Sequence, residues 1–155
     1  MPMKIAPCFW FDDQAEQAAR YYCGIFPDSK ITAVSRYPEA HNDKQAGSVL
    51  LVAFDLRGQS FTALNGGPHF QFNEAISFQI ECEDQKEVDY YTERLSEGGA
   101  AEAQQCGWVK DKFGVSWQIV PKIMPIMLTD ADPAKARRAF EAILQMKKLE
   151  RAFAG

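Results

Sequence analysis

Short runs in which apolar and polar residues alternate are separated by two stretches with helical spacing, and this rhythm lays out most of the chain. The run IAPCFWF over residues 5–11 predicts a strand covered on both faces. Pro7 within it lacks an N–H, which predicts a place at a sheet edge. Asp13 with Glu16 has the form of a reciprocal helix cap. Ala15, Ala18, Ala19, Tyr22 and Phe26 then fall on one helical face, where the alanines allow close approach to a sheet. Pro27-Asp28-Ser29 ends that helix. Residues 31–37 predict a second strand, and the polar stretch 38–47 reads as the least structured part of the chain. Residues 48–56 and 59–64 predict a hairpin turned by Arg57-Gly58, followed by the loop Asn65-Gly66-Gly67-Pro68, where glycine opens backbone angles closed to other residues.

The same order then repeats. Residues 72–82 predict a strand, with Ile76, Phe78 and Ile80 alternating against Ser77, Gln79 and Glu81. Asp84 and Glu87 repeat the cap, Val88, Tyr91 and Leu95 repeat the stripe, and Gly98-Gly99 ends the second helix. A strand is expected near residues 101–105, and then a hairpin over residues 106–121 that turns through Lys110-Asp111-Lys112 and Gly114. In its second arm Val115, Trp117 and Ile119 face one way, while Ser116, Gln118 and Val120 face the other. Residues 58–65, GQSFTALN, match residues 114–121, GVSWQIVP, in register: glycine, any residue, serine, aromatic, small polar group, apolar pair. Each module thus reads as strand, helix, then two or three strands. Beyond Pro121 the pattern turns helical, with a short turn over residues 122–128. A helix opened by Asp132-Pro133 follows, its apolar positions being Ala136, Ala139, Phe140, Ile143 and Leu144.

Composition narrows the function classes. At 155 residues the chain is one domain, or two small modules, able to bury a core without staples. A net charge of -4 argues against nucleic acid and anionic membranes as partners, since both demand a basic field. No apolar run reaches transmembrane length. The four cysteines show no C-x-x-C spacing and no secretory leader opens the chain, so a cytoplasmic location is expected.

Trp10-Phe11-Asp12, Ile25-Phe26-Pro27, residues 63–68 (ALNGGP), residues 72–75 (FNEA), Gln105-Cys106-Gly107-Trp108 and residues 118–121 (QIVP) together carry a resemblance. The chain is similar, nearly end to end, to the PhnB-like proteins of the vicinal oxygen chelate (glyoxalase/bleomycin resistance/dioxygenase) superfamily. Some of these carry the label 3-demethylubiquinone-9 3-methyltransferase. The resemblance implies an α+β fold of two βαβββ modules forming a curved, cup-like mixed sheet, with module one at about residues 1–68 and module two at about 69–121. C-terminal helices over 122–155 would complete a single domain. It also implies a homodimer and a ligand or metal held inside the cup. In metal-using relatives His, Glu or Gln stand on the first and last strands of each module. Carried across by the glycine register, the last-strand positions are Thr62 and Gln118; the first-strand ones fall at about Pro7 or Cys8 and about Ala75 or Ile76. A divalent first-row metal wants three or four imidazole, thiolate or carboxylate groups. Only Gln118 and Cys8 offer anything, so neither a metal nor a cofactor is expected.

The bland explanations weigh against most other chemistry. His41 and His69 lie in loops without a carboxylate partner in a shared element. Cys106 has no neighbouring base to activate it, and Glu74, Glu81 and Glu83 read as a solvated face. Asn65 beside Gly66-Gly67 reads first as fold punctuation and second as a pocket rim. Thr62, Ser77, Gln79, Ser116 and Gln118, by contrast, place uncharged polar groups on the non-core phase of three strands, with Phe9, Phe11 or Trp108 as aromatic walls. The expectation is a protein that holds a small, partly aromatic metabolite without transforming it. The alternatives are a metal-dependent lyase, isomerase or dioxygenase, and the labelled methyl transfer, which lacks the glycine-rich strand-to-helix turn of nucleotide-cofactor enzymes.

Overall fold

In the computed structural model, which describes residues 4–149, the chain divides into two units, Met1–Gln71 and Phe72–Gly155. The end of the expected C-terminal extension, residues 150–155, lies outside the described residues. Unit one consists of β1 (Cys8–Phe11), α1 (Ala15–Ile25), β2 (Ser29–Arg36), β3 (Val49–Leu56) and β4 (Gln59–Asn65). Its sheet has the order β1-β4-β3-β2, with β1 parallel to β4 and the other pairs antiparallel. Strand β1 is therefore an edge of this sheet, where Pro7 contributes only its carbonyl, accepting from Thr62 N–H at 2.9 Å.

Period-2 alternation divides each strand of unit one between a helix-side face and an open face. Ala15, Ala18, Ala19 and Tyr22 of α1 are wholly buried, and the small alanines let the helix lie close to the sheet. Tyr22 stacks on Phe54 at 6.3 Å and meets Phe9 edge-on at 6.0 Å, while Phe54 stacks on Phe61 at 5.5 Å. Each such buried ring contributes about 1.5–3 kcal/mol through removal from water. The expected cap at Asp13 does not form. The helix opens at Gln14 with no cap from its own side chains, and Asn65 at the end of β4 accepts from Ala15 N–H through Oδ1 at 2.8 Å. A distant amide with its own backbone tie, Nδ2 to Val49 carbonyl at 3.1 Å, takes the place of the local carboxylate.

The stretch expected to be least structured is folded into a turn. His41 and Lys44 exchange backbone hydrogen bonds, Asn42 adopts φ 52, and Lys44 Nζ reaches the Asp12 carbonyl at 2.6 Å. Tyr37 donates its hydroxyl to the Asn65 carbonyl at 2.6 Å, so the loop is tied to the same corner that caps α1.

Unit two consists of β5 (Phe78–Cys82), α2 (Gln85–Ser96), β6 (Trp108–Lys110), β7 (Ser116–Pro121), α3 (Met124–Leu128) and α4 (Pro133–Leu144). The sheet order is β5-β7-β6, with β5 parallel to β7. Here the expected cap is present: Asp84 accepts from Glu87 N–H at 2.9 Å, and Glu87 accepts in return from Glu83 N–H at 3.0 Å. Two expected strands change. Residues 72–77 are not strand, and Ile76 stands exposed. Near residues 101–105 the chain makes a 3-10 turn (Ala101–Ala103) and only a single bridge, Gln105 to Trp108. Alanine and glutamate, poor strand formers, fill this segment, and no β-branched residue supplies a pleated surface. In α4 only Ala139 and Ile143 of the expected stripe are buried, while Phe140 and Leu144 remain exposed.

The chain beyond α4 secures the hairpin of unit two. Cys106 and Gly107 donate their N–H groups to the carbonyls of Met146 and Lys147 at 2.7 and 3.0 Å. A Cβ on Gly107 would lie 2.7 Å from the Leu149 side chain, which is 1% exposed, so only glycine admits that leucine. Leu149 joins Met124 and Ile143 in a small cluster against which Cys106 and Val120 pack.

Candidate functional site

The register pairs give each unit an open face opposite its helix, and the row across its middle is the informative one. In unit one Cys8 pairs with Thr62, Thr62 with Ala53, and Ala53 with Ala33, so this row consists of small side chains. In unit two Gln79 pairs with Gln118, Gln118 with Trp108, and Trp108 bridges to Gln105, giving three amides and an indole. The two rows correspond position for position. Phe11 pairs with Asn65 as Cys82 pairs with Pro121, and the following N–H returns to the first strand in both units, Gly66 to Phe11 and Lys122 to Cys82.

This correspondence corrects the first-strand position of module two. Gln79, not Ala75 or Ile76, is the counterpart of Cys8, because the strand begins at Phe78. Gln105, Ala33 and Ala53 complete the rows and were not singled out by sequence pattern. The signal for Gln105 was its place just before the Cys106-Gly107 turn, whose φ values of 56 and 85 describe a two-residue hairpin that brings Gln105 opposite Trp108.

The other candidates divide. Ser77, Gln79, Ser116, Gln118 and Trp108 belong to unit two, and Gln118 donates through Nε2 to Ser77 Oγ at 2.8 Å. Thr62 lies on the open face of unit one. Phe9 does not: it is 4% exposed on the helix side, against Phe11, Tyr22 and Phe61, because its odd-even phase follows Phe11 and not Cys8. Asn65 is likewise buried on the helix side as the cap of α1.

Charge sits at the margins of these faces. Lys110, which pairs with Ser116 across the hairpin, forms an ion pair with Glu74, whose carboxyl is held below the ordinary glutamate range chiefly by the hydrogen bond from Lys110. Glu81 remains exposed at the end of β5. The hairpin itself turns on Asp111, which is 2% exposed. Its Oδ1 accepts from the N–H groups of Phe113 and Val115 at 2.8 and 3.1 Å, and Oδ2 accepts from Trp117 Nε1 at 2.9 Å. In the sequence Asp111 reads only as part of a polar turn between two lysines, and nothing in its spacing announces a buried anchor.

The thiols do not assemble a reactive centre. Burial, assisted by the negative charges of Glu87 and Asp84, pushes the Cys82 thiol up to about 12, and burial raises that of Cys23 as well. Cys106 packs against the Met124–Ile143–Leu149 cluster. Among the described residues no group of three or more His, Cys, Asp or Glu side chains is placed to hold a metal ion. The row positions offer a thiol and a hydroxyl in one unit and neutral amides in the other, a donor set that does not fit a divalent first-row cation. His69 instead meets Trp10 at 6.5 Å, where the indole donates to the Gly67 carbonyl at 2.8 Å. A Cβ on Gly66 would lie 2.3 Å from that ring, so the paired glycines there serve close packing.

The module helices α1 and α2 are entered without glycine, through Asp12-Asp13-Gln14 and through Glu83-Asp84. A groove of about 230 Å³ beside the start of α2 is lined by Glu83, Asp84, Gln85, Pro121, Lys122, Ile123 and Ile126, none of them a residue of the rows. No helix among the described residues is long and apolar enough to cross a membrane.

Among curated proteins none matches the chain. Solved structures do. A PhnB protein from Bacillus cereus, titled a 3-demethylubiquinone-9 3-methyltransferase, is 32% identical with a TM-score of 0.66, over 77% of this chain and 99% of its own. The PA1353 protein of Pseudomonas aeruginosa is 18% identical with a TM-score of 0.65, over 78% and 98%. A glyoxylase/bleomycin resistance protein/dioxygenase domain from Frankia shares the fold at 16% identity and a TM-score of 0.50, over 78% and 92%. Residues 3–120 match the family described as 3-demethylubiquinone-9 3-methyltransferase, and the chain belongs to that PhnB-like family.

Proposed function

We propose that the protein binds a small, neutral, partly aromatic metabolite on the open sheet faces, within the cup that its family resemblance implies, without a metal. The observation that carries this reading is the row Gln79–Gln118–Trp108: amides that both donate and accept, beside a flat apolar ring, with Gln79 and Gln118 on the first and last strands, where the resemblance implies that metal-using relatives place their ligands. Thr62 adds a neutral hydroxyl, whereas Ser116, only 2% exposed, lies beneath the surface of that face. General acid–base or Lewis-acid chemistry needs titratable or anionic groups, and the rows offer none beyond the Cys8 thiol.

The family name points to methyl transfer. The two glycine-free helix entries weigh against a nucleotide-cofactor turn, and isothermal titration with S-adenosylmethionine is expected to give no heat of binding. We extend the reading to a cytoplasmic homodimer. The four free cysteines and the exposed Phe140 and Leu144 on α4 support it, and light scattering on the full chain tests the dimer.

The deciding experiment is a thermal-shift screen of divalent metals beside neutral aromatic metabolites, with turnover followed in every well that responds. Stabilisation by a metabolite without turnover is expected. Native protein, purified without chelator, that retained stoichiometric zinc, nickel or iron would overturn the metal-free reading.

A further inference from the structure

We infer that the chain beyond the family domain clamps the open face of unit two, with Leu149 as the positioning residue for Trp108 and Gln105. This rests on the ligand-binding reading above and goes beyond it to what holds that face in place.

The family match ends at residue 120, and the Bacillus cereus PhnB protein aligns over 99% of its own length while covering 77% of this chain. Helices α3 and α4 and the segment after them therefore lie outside the family match. That segment returns to the domain at the turn of the amide row. The carbonyls of Met146 and Lys147 accept the Cys106 and Gly107 N–H groups at 2.7 and 3.0 Å, and these two residues form the tight turn between Gln105 and Trp108. The Gly107 carbonyl in turn accepts Ile119 N–H at 2.8 Å, one residue beyond Gln118. The turn is thus held between β7 and the C-terminal segment, and the row residues on either side of it are placed by that hold.

Leu149 fixes the segment itself. Its side chain is 1% exposed and lies against Gly107, 2.7 Å from where a Cβ would stand. Two contacts from α2 keep it there: Gln85 Nε2 donates to the Leu149 carbonyl at 3.3 Å, and Lys148 Nζ pairs with Asp89 at 2.8 Å. The cluster of Leu149, Met124 and Ile143 also reaches the open face, because Val120, two residues from Gln118 and on the same side of β7, packs against it. A two-residue turn closed by a single bridge is weakly held on its own. Loosening Leu149 therefore frees Gln105 and Trp108, while Val109, 2% exposed in the core, keeps β6 in the sheet.

The test is NMR on the isotope-labelled full chain carrying Leu149→Ala. Trp117 serves as internal control, since its indole is tied to Asp111 at the other end of the hairpin. Exchange of the Cys106 and Gly107 amide hydrogens should rise about a hundredfold, and the Trp108 indole signal should move while that of Trp117 stays. Benzamide, a neutral flat probe, should bind the variant about tenfold more weakly than the wild type. Leu149→Val, a smaller cut, should give the same pattern at reduced size and serves if the alanine variant does not fold. Unchanged exchange at Gly107, or Trp108 and Trp117 indoles that move together, overturns the clamp. A freed Trp108 with undiminished benzamide affinity overturns the positioning role of Leu149. Wild-type Gln118 and Trp108 signals that benzamide does not move count against the ligand-binding reading and leave the clamp standing, since exchange and indole signals are read without ligand.

Discussion

The corner where the first strand, the last strand and the helix meet is built in both units and built differently. In unit one the last strand ends in Asn65, whose amide caps α1 from 50 residues away. In unit two the equivalent residue is Pro121, which has no side-chain acceptor, and the cap passes to Asp84 on the residue before α2. The backbone demand is constant, since the first N–H groups of a helix need acceptors, but the residue that meets it is not. A cap supplied from a distant strand couples helix to sheet; one supplied locally leaves the helix start independent of the strand end. The open faces differ in the same spirit: small side chains on unit one, amides and an indole on unit two.

The hairpins give the largest lever on this comparison. Unit one turns through Arg57-Gly58, with φ values of 49 and 88, and its Arg57 N–H donates to Ser29 Oγ at a long 3.3 Å. Unit two has a longer turn organised by the buried Asp111. Asp111→Ala leaves the Trp117 indole N–H and two backbone donors without their acceptor and should cost about 3 kcal/mol in denaturant unfolding. Asp111→Asn keeps Oδ1 but turns an NH2 toward the Trp117 N–H, and should fall between the variant and the wild type. A loss under about 0.5 kcal/mol for the alanine variant, the level of an ordinary surface change, would remove Asp111 as the anchor.

The caps come next. Asn65→Ala strands the Ala15 N–H and the Val49 carbonyl in a buried place and should cost about 2 kcal/mol, whereas Asp84→Ala, at an exposed helix start, should cost about 1 kcal/mol. Asp13→Ala should be silent, because Asp13 caps nothing. If Asp13→Ala and Asp84→Ala destabilised equally, the two units would share a local cap and the contrast drawn from Asn65 and Pro121 would fail.

Features written into neighbouring residues were legible in the sequence. The stripes Ala15-Ala18-Ala19-Tyr22 and Val88-Tyr91-Leu95, the Arg57-Gly58 turn and the Gly58/Gly114 register are all local patterns, and the register was enough to align Thr62 with Gln118. What depends on a partner far along the chain was not. Asp13 looked as good a cap as Asp84, and only the side chain of Asn65 decides between them. Gln79 was recognised as a polar lining residue, but its equivalence with Cys8 was hidden because the alternation of Ile76, Phe78 and Ile80 begins before the strand does. Phe9 was assigned to the ligand face because an apolar run has no period to reveal which side each residue takes.

The smallest effect concerns the charge that flanks each row. Asp55 in unit one pairs with Ser60 and accepts its hydroxyl at 3.1 Å; in unit two the corresponding pair is Lys110 with Ser116, so the same place carries opposite charge. Lys110 in turn holds the Glu74 carboxyl below its ordinary value of 4.5. A depressed carboxyl contributes stability that is present above its unfolded value and lost as pH falls through the folded one, so the ion pair acts at neutral pH and disappears in acid. Because Glu74 is solvent-exposed, screening keeps that contribution too small to move the melting temperature of Glu74→Gln at neutral pH. The titration itself remains measurable. Following the Glu74 carboxyl by NMR, Lys110→Met should return its midpoint upward toward 4.5, while Asp55→Asn, in the other unit, should leave it where it is. A Glu74 midpoint unchanged by Lys110→Met would mean that the pair does not persist in solution, and Lys110 would then bring an uncompensated positive charge to the face that Gln118 and Trp108 share.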